Sequence, residues 1–284
     1  MNQHLTFSVS MCVYSGDNPV NFDAAINSVV NQTVLPTEIV LVVDGPVPDS
    51  IDQVIEKYSA KLDHTVISFK VIRLEKNMGH GEARRICFDN CSQELIALMD
   101  ADDLSIPERF EKELEYYSKY PETSVVGGYI SEFISSKEPT DTSNHAGKRI
   151  VPEKDEDIKA FIKKRCPMNQ VTVMFRKSDV SEVGGYIDWY CEEDYYLWIR
   201  LALAGKIFGN VPEKLVDVRV GNEMYQRRGG WKYFTSEFGI QRLMLKEHMI
   251  SIFRFILNVS ERLLIQVLLP NRIRGWIFQK LARE

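Results

Sequence analysis

Apolar and polar residues alternate in blocks along the first 120 residues of the chain. Short, almost wholly apolar runs predict strands that are buried on both faces of a sheet. These runs are residues 7–14 (FSVSMCVY), 38–43 (EIVLVV) and 94–99 (ELIALM), and residues 68–74 are predicted to form a further strand. After each run, apolar residues recur every three or four positions, which predicts helices. The predicted helices are residues 21–30, 50–62, 81–90 and 107–120. This alternation predicts an α/β fold with a mostly parallel, Rossmann-like sheet flanked by helices.

The second half of the chain has a less regular pattern. Its predicted elements are strands over 124–133, 171–175 and 214–220 and a helix over 194–204. Residues 137–154 are rich in Ser, Thr, Asp and Pro, which predicts a surface loop. From Trp231 onward the apolar spacing is helical. We therefore expect a main α/β domain over residues 1–230 and a helical extension over residues 231–284.

Charge is distributed unevenly along the chain. The net charge is −5 over 284 residues, yet residues 240–284 contain eight Lys or Arg and three Asp or Glu. An acidic body with a basic, apolar tail does not suit a nucleic-acid-binding protein. Bulky apolar residues alternate with basic ones over 243–281, which predicts an amphipathic helix at an anionic membrane surface, divided in two by Pro270. A helix packed on the body is the alternative.

Other features argue against several classes of protein. No run reaches the roughly 18 uninterrupted apolar residues of a membrane span, and the N-terminus lacks the pattern of a secretory signal. Five scattered cysteines without a CxxC pair argue against a zinc site or a disulfide framework, and they favour a reducing compartment. The histidines do not cluster, so neither serine-protease nor metalloprotease chemistry is predicted.

Acidic residues follow two of the predicted strands directly. Asp44 follows EIVLVV, and Asp100-Ala101-Asp102 follows ELIALM. Ligands of parallel sheets bind beyond the carboxyl ends of the strands, so we expect these acids to line a ligand site. Two carboxylates on one tight turn suit Mn²⁺ or Mg²⁺, which also bridge phosphates. A second Asp-x-Asp, at residues 155–157, lies in a polar stretch and is expected to be the solvated start of a helix.

Two predicted helix starts allow both a functional and a structural interpretation. The turn at residues 77–81 (NMGHG) opens a helix that carries Arg84 and Arg85, and it either contacts a diphosphate or is an ordinary turn. Glu193 and Asp194 open another helix, where Asp194 either accepts a proton or caps the helix. Cap preferences alone favour the second interpretation of Asp194.

Aromatic and arginine side chains near the second helix start are equally ambiguous. Trp189 either stacks on a sugar ring or belongs to the core. Arg227 and Arg228, followed by two glycines and Trp231, either bind phosphate oxygens or form a surface loop.

In their order along the chain, these motifs resemble glycosyltransferase family 2, the inverting nucleotide-sugar enzymes of GT-A fold. The resemblance covers about residues 7–220. It rests on the strings FSVSMCVY, SVVNQT, EIVLVVDG, NMG with ARR, ALMDADD, CPMN, VTVMFRKS, VGGY and EDYYLW. Each string is weak alone, and the ordered set is specific. Within the family, the chain is most similar to bacterial enzymes that extend lipid-linked sugars for O-antigen or exopolysaccharide.

The resemblance implies a role for each matching residue. Tyr14 and Asp44 would hold the uracil of UDP, with Asn77 and Arg84 as further nucleotide contacts. Asp100 would bind the ribose or uracil side, and Asp102 would bind Mn²⁺ or Mg²⁺ on the diphosphate. Asp194 would be the catalytic base, which now outweighs capping. As our own conjecture, further diphosphate or acceptor contacts are Glu193, Trp189, Arg227, Arg228 and Trp231.

The implied function is transfer of one hexose, with inversion to a β-glycosidic bond. The donor would be a UDP-sugar, glucose or galactose, and the acceptor a sugar on a polyprenyl diphosphate. The Gln-x-x-Arg-Trp motif of processive enzymes is missing from the chain, which favours one sugar per acceptor. The resemblance implies a catalytic domain over residues 1–230 and a peripheral location at the cytoplasmic face of the bacterial inner membrane.

The chain departs from the family pattern at two places, and two other functions stay open. Cys12 and Val13 replace the usual Pro and Thr, and Arg85 replaces the usual Asn. A sugar-nucleotide nucleotidyltransferase would need a basic, Gly-rich loop after the first strand, where residues 15–19 contain no Lys or Arg. A non-catalytic nucleotide-sugar-binding membrane protein is disfavoured by the intact acidic residues.

Overall fold

The computed structural model describes residues 5–136, 138–221 and 229–269. Its strands are β1 (Phe7–Tyr14), β2 (Glu38–Asp44), β3 (Ser68–Arg73), β4 (Leu95–Met99), β5 (Leu104–Ser105), β6 (Val125–Phe133), β7 (His145–Arg149), β8 (Met174–Arg176) and β9 (Phe208–Arg219). Its helices are α1 (Pro19–Val30), α2 (Asp49–Leu62), α3 (His80–Asn90), α4 (Arg109–Lys119), α5 (Asp155–Phe161), α6 (Lys177–Glu182), α7 (Glu193–Leu203), α8 (Trp231–Lys246) and α9 (Ile252–Leu263). A 3₁₀ turn covers Gln170–Thr172 and a π-helical turn covers Leu264–Leu268.

The strands join into one sheet with the order β3-β2-β1-β4-β8-β6-β9-β5, and β7 pairs with β6. Strands β1 to β4 are parallel, whereas β8 is antiparallel to both of its neighbours. Because β1 lies between β2 and β4, the direction of the crossovers reverses at β1. Such a reversal opens a crevice at the carboxyl ends of the strands. The predicted α/β class with a Rossmann-like parallel half is confirmed.

Hydrophobic cores cover both faces of the sheet, because side chains alternate along each buried strand. In β2, Ile39 and Leu41 belong to the core under α1, α2 and α4, and Val40 and Val42 belong to the core under α3 and α7. Ile240 and Met244 of α8 are buried in the second core beside Trp198. The first helix of the extension therefore packs on the body, whereas the domain boundary at residue 230 stays a prediction.

Three predicted elements differ in the structure, and β5 and α6 have no counterpart in the sequence prediction. The predicted loop over 137–154 contains β7, an edge strand that its polar sequence (HAGKR) does not indicate. The predicted strand over 171–175 is a 3₁₀ turn followed by the short β8. Strand β9 begins at Phe208, before the predicted residue 214, because its pairing with β6 continues across a bulge near Tyr129. As predicted, Asp155 begins a helix, α5.

The helical pattern predicted from Trp231 onward is confirmed in the described residues up to Leu268. Among the helices of the described part of the chain, none combines the length and the apolar content that a membrane span needs. Arg227, Arg228 and the segment from Pro270 onward lie outside the described residues.

Candidate active site

Asp44 ends β2 and holds the turn that opens α3. Its buried carboxylate accepts the N–H of Met78 at 2.6 Å and the N–H of Gly79 at 3.1 Å. The side-chain amide of Asn77 donates to the Asp44 carbonyl at 3.3 Å. Gly45 has φ +86°, and a Cβ there would lie 2.5 Å from the Asn77 nitrogen. A residue larger than glycine therefore does not fit between the end of β2 and this turn.

Tyr14 ends β1 directly beside Asp44, its partner in the register of the two parallel strands. Its side chain is 43% exposed, and Met78 across the turn is 45% exposed. The backbone N–H of Tyr14 donates to the Asp17 carboxylate at 2.9 Å. An exposed ring and an exposed thioether beside a buried acid form a surface suited to a flat, polar-edged ligand such as a nucleobase.

Arg84 connects two distant parts of the chain inside the protein. Its side chain is 7% exposed; Nη2 donates to Oδ1 of Asp100 at 2.7 Å, and Nη1 lies 3.5 Å from Oε1 of Glu193. Burial alone would lower the pKa of Arg84, but the two carboxylates outweigh it and the pKa is raised. The guanidinium therefore stays charged between the end of β4 and the start of α7. Arg85 points outward and pairs with Glu82 and Asp89.

The turn after β4 concentrates negative charge in a partly buried place. Burial, followed by the charges of Asp100 and Asp17, raises the pKa of Asp102 to about 6. Asp103 is buried and accepts the N–H of Arg219 at 2.7 Å. The Arg219 side chain donates to the Asp102 carbonyl at 2.9 Å, so β9 clamps the turn.

The carboxylates of Asp100 and Asp102 repel each other, and a divalent cation bound to their oxygens would relieve that repulsion. Within residues 5–136, 138–221 and 229–269, no three His, Cys, Asp or Glu side chains lie close enough together to enclose a metal ion. Asp100 and Asp102 would therefore leave other coordination positions to water and phosphate oxygens, an arrangement that Mg²⁺ commonly adopts. The residues present fit such an ion.

Glu193 and Asp194 form the first turn of α7, and their environments differ. Glu193 is buried, with Arg84 at 3.5 Å and His80 at 3.6 Å. Burial raises the pKa of Glu193, Arg84 opposes that shift, and Asp194 adds to it. Asp194 is half-buried; its Oδ1 accepts the N–H of Tyr195 at 2.6 Å, and its Oδ2 lies 3.8 Å from the Cys166 sulfur.

Asp194 is not the N-cap residue of this helix. The N-cap position is Glu192, and its side chain makes no capping hydrogen bond. Asp194 is the second residue of the helix, and its Oδ1 accepts an N–H of the first turn, that of Tyr195. The first turn thus engages one carboxylate oxygen, and the role of Asp194 as a base stays a prediction.

Trp189 and Trp231 both lie next to the C-terminal helices. The Trp189 ring packs on Tyr196 at 4.5 Å between centroids, and its indole N–H donates to the Ser236 carbonyl at 3.2 Å. A Cβ at Gly239 would lie 2.7 Å from that ring, so Trp189 fills the space that this glycine leaves. Trp231 begins α8 and is 64% exposed. Roles for either residue toward an acceptor stay predictions.

Contacts link most of the predicted residues into one group at the carboxyl ends of the strands. The turn held by Asp44 starts α3, α3 carries Arg84, and Arg84 contacts both Asp100 and Glu193. Sequence reasoning missed four residues of this region. They are Asp17, His80, Cys191 and Arg219. His80 lies within the NMGHG turn but was given no role, and the other three belong to none of the motifs.

Comparison with known proteins gives consistent results. The sequence pattern of the family "Glycosyl transferase family 2" matches residues 8–182. "Amylovoran biosynthesis glycosyltransferase AmsE" of Erwinia amylovora is 32% identical over 276 residues, which cover 96% of this chain and 98% of the relative. "UDP-Gal:alpha-D-GlcNAc-diphosphoundecaprenol beta-1,3-galactosyltransferase" of Escherichia coli is 33% identical over 281 residues, which cover 98% of this chain and 97% of that relative.

A solved structure with the same architecture is that of S. aureus TarS 1-349 in complex with UDP-GlcNAc. It superimposes with a TM-score of 0.65 over 97% of this chain and 76% of its own, at 16% sequence identity. A likeness at that identity concerns the fold alone, and the predicted GT-A fold is confirmed.

Proposed function

The chain belongs to glycosyltransferase family 2, and we propose that it transfers one hexose from a UDP-sugar, glucose or galactose, to a sugar on a polyprenyl diphosphate. The observation that carries the proposal is the buried Arg84 bridge. It holds Asp100, at the proposed donor side, and Glu193, next to the proposed base, against one guanidinium. A single displacement needs donor and base in one place.

Donor binding would use the surface at the ends of β1 and β2. The uracil would lie against Tyr14 and Met78, with Asp44 fixing the turn beneath it. Asp100 would accept from the nucleoside, since its side chain is 37% exposed although Arg84 binds one of its oxygens. Asp17 lies close enough to Asp102 to raise the pKa of that carboxyl, so it belongs to the same region.

Asp102, with Asp100 beside it, would hold a Mn²⁺ or Mg²⁺ ion. When bound, such an ion supplies positive charge that offsets the charge developing on the departing diphosphate. The chain's own contribution is the turn geometry, because the clamp from Arg219 fixes the backbone of Asp102 and Asp103.

Asp194 would act as the base. It would accept the proton of the acceptor hydroxyl while that oxygen attacks the anomeric carbon. The bond from that carbon to the UDP oxygen breaks, and UDP leaves with the electron pair. Attack from the face opposite UDP inverts the configuration, so an α-linked donor gives a β-glycoside. Glu193 suits the role less well, since it is buried against Arg84 and His80.

The proposed acceptor class is supported by the relatives. The Escherichia coli relative is named for a lipid-linked acceptor, GlcNAc-diphosphoundecaprenol, and the Erwinia amylovora relative is named for amylovoran biosynthesis. Both align over almost the whole of this chain, including the C-terminal helices.

The direct test is turnover by the purified full-length chain. A panel of UDP-sugars is offered with a GlcNAc-diphosphate-lipid or GalNAc-diphosphate-lipid analogue, with Mn²⁺ or Mg²⁺, and the product linkage is read by NMR. We expect one β-linked hexose per acceptor from UDP-glucose or UDP-galactose. An α-linked product, or release of UMP in place of UDP, would contradict the proposal.

A further inference from the structure

The last described helix, α9, turns polar side chains toward the body. In α9, Asn258 is buried and donates to the Lys163 carbonyl and to Oε1 of Gln241, both at 2.8 Å. Arg262 pairs with Glu237 and donates to the Lys164 carbonyl at 2.7 Å. These contacts recur every four residues, and they fix the rotation of α9 about its axis.

The opposite side of the same helix is apolar and open to water. Its large exposed side chains are Ile252 (61%), Phe253 (70%), Ile256 (53%), Leu257 (47%), Leu264 (52%) and Leu268 (65%). We call these six residues the apolar face. In a surface helix of a globular protein the apolar side normally faces the core. Here the arrangement is inverted, since the polar side is buried and the apolar side is exposed.

An apolar surface of this kind needs an occupant. Large exposed apolar patches mark protein or membrane contacts, because burial of apolar surface is favourable by about 25 cal/mol of free energy per Å². Half-buried Phe255 of α9 packs on Phe238 of α8, and Phe234 packs on both Phe238 and Trp231. Phe238 and Trp231 are themselves exposed.

Charge identifies the occupant. Within α9, Arg254 is half-buried beside the apolar face and Glu261 is the exposed acid. The sequence of residues 270–284 adds four basic residues and one acidic residue. A second copy of the chain would carry the same excess of positive charge in residues 240–284, which like-charge repulsion disfavours, whereas anionic lipid would attract it. We infer that the apolar face inserts into the headgroup region of an anionic lipid bilayer.

Hydrogen bonds connect the segment that carries the apolar face, through α8, to the residues before the proposed base. The N–H of Gly230 donates to the Gln266 carbonyl at 2.9 Å, which joins the π-helical turn to the start of α8. The first turns of α8 contact Tyr190 and Glu192, just before Glu193. A bilayer under the apolar face would therefore bring a lipid-linked acceptor to that end of the site. This link to the acceptor rests on the proposed function, whereas vesicle binding itself does not.

The test is flotation of the full-length chain with vesicles. Wild-type protein is mixed with phosphatidylcholine vesicles that contain or lack phosphatidylglycerol. The Phe253→Ser/Leu257→Ser variant removes two side chains of the apolar face. The matched control, Leu35→Ser/Val66→Ser, removes two exposed apolar residues from the connections that precede β2 and β3. Thermal unfolding of both variants verifies that they fold, and turnover with a short-chain soluble acceptor is measured alongside.

We expect wild type and the control to float with phosphatidylglycerol vesicles and the apolar-face variant to partition about tenfold or more weakly. Equal flotation of both variants would overturn the inference. Failure of the wild type to float would also overturn it. So would the finding that the wild type is a dimer and the apolar-face variant is a monomer. Flotation without turnover would contradict the proposed function alone, whereas turnover of the soluble acceptor without flotation would contradict only the lipid contact.

Discussion

The phenol of Tyr233 donates a hydrogen bond of 2.5 Å to the carboxylate of Glu192. Helix α8 of the C-terminal extension is thereby bonded to the residue that precedes Glu193 and Asp194. The Ser236 hydroxyl adds a second bond, to the Tyr190 carbonyl at 2.6 Å. Between these two anchors, Cys191 adopts φ +57°, a left-handed conformation that costs a non-glycine residue about 1 kcal/mol or more. The extension thus holds the backbone that leads into the proposed base.

Removal of the Tyr233 hydroxyl tests this anchoring. In Tyr233→Phe we expect kcat to fall by about tenfold, because one hydrogen bond of about 1 kcal/mol no longer positions the start of α7. KM for the UDP-sugar is expected to stay within about twofold, since the donor side is not touched. Tyr120→Phe, at the far end of α4, is the control. A rise in donor KM with unchanged kcat would contradict the positioning role.

Asp194→Asn tests the proposed base. The amide cannot accept the hydroxyl proton, so we expect turnover to fall by about 10²–10⁴-fold. UDP affinity, measured by calorimetry, is expected to change little. Asp157→Asn makes the same chemical change at the exposed start of α5 and is expected to leave turnover unchanged. Retained turnover in Asp194→Asn would remove Asp194 from the role.

Asp102→Ala tests the proposed metal site. We expect UDP affinity in the presence of Mn²⁺ to fall by about tenfold or more, because the ion that joins the diphosphate to the protein loses a carboxylate ligand. UDP affinity in EDTA is expected to be equal in variant and wild type. Calorimetric titrations under both conditions provide the measurement. The same Mn²⁺-dependent gain in affinity in both proteins would count against the site.

Substitution of Arg84 tests the buried bridge. Arg84→Met leaves Asp100 and Glu193 without their counter-charge, and we expect the free energy of unfolding to fall by about 2–4 kcal/mol. The expected loss is smaller than it would be if all three charged side chains were fully buried, since the Asp100 side chain is 37% exposed. Arg85→Met, which breaks only surface pairs, is expected to cost under about 1 kcal/mol. Urea denaturation compares them, and equal losses would contradict the structural role of Arg84.

Glu113 gives a prediction about pH. It is fully buried beside Arg109 at 3.2 Å, and burial raises its pKa to about 7 despite that partner. The folded protein therefore binds this proton more tightly than the unfolded chain, whose glutamate pKa is about 4.3. The resulting stabilisation is present below the unfolded pKa and is lost as the pH rises through about 7.

The matched variant for that prediction is Glu113→Gln. As the pH is raised from about 5 to 8, we expect the Tm of wild type to fall relative to the Tm of Glu113→Gln, because the amide does not titrate. Thermal unfolding over that range provides the measurement. A difference that stays constant with pH would contradict the raised pKa.

The first half of the fold was predictable because β1, β2 and β4 are buried along almost their whole length and appear in the sequence as largely apolar runs. The same property made Asp44 and Asp100 stand out, since each follows such a run directly. Strand β7 was not predictable, because an edge strand held mainly by backbone pairing needs no apolar pattern. The contact between Arg84 and Glu193 joins two segments far apart in the sequence, and nothing local indicates it.

The orientation of α9 illustrates a second limit. Its residue spacing reveals two sides of unlike polarity, but only the packing of Asn258 and Arg262 determines which side turns inward. The same holds for Trp189, because its sequence context fits stacking on a sugar ring and packing in the core equally well. In the structure, the space beside Gly239 is filled by that ring.

Because the inward contacts of α9 are made by Asn258 and Arg262 rather than by its leucines and isoleucines, folding and surface chemistry are carried by different residues of one helix. Substitution of Ile252, Phe253 or Leu264 would therefore change the exposed surface of the helix at little cost in folding free energy. The strength of the proposed lipid contact could thus be adjusted at these positions separately from the stability of the fold.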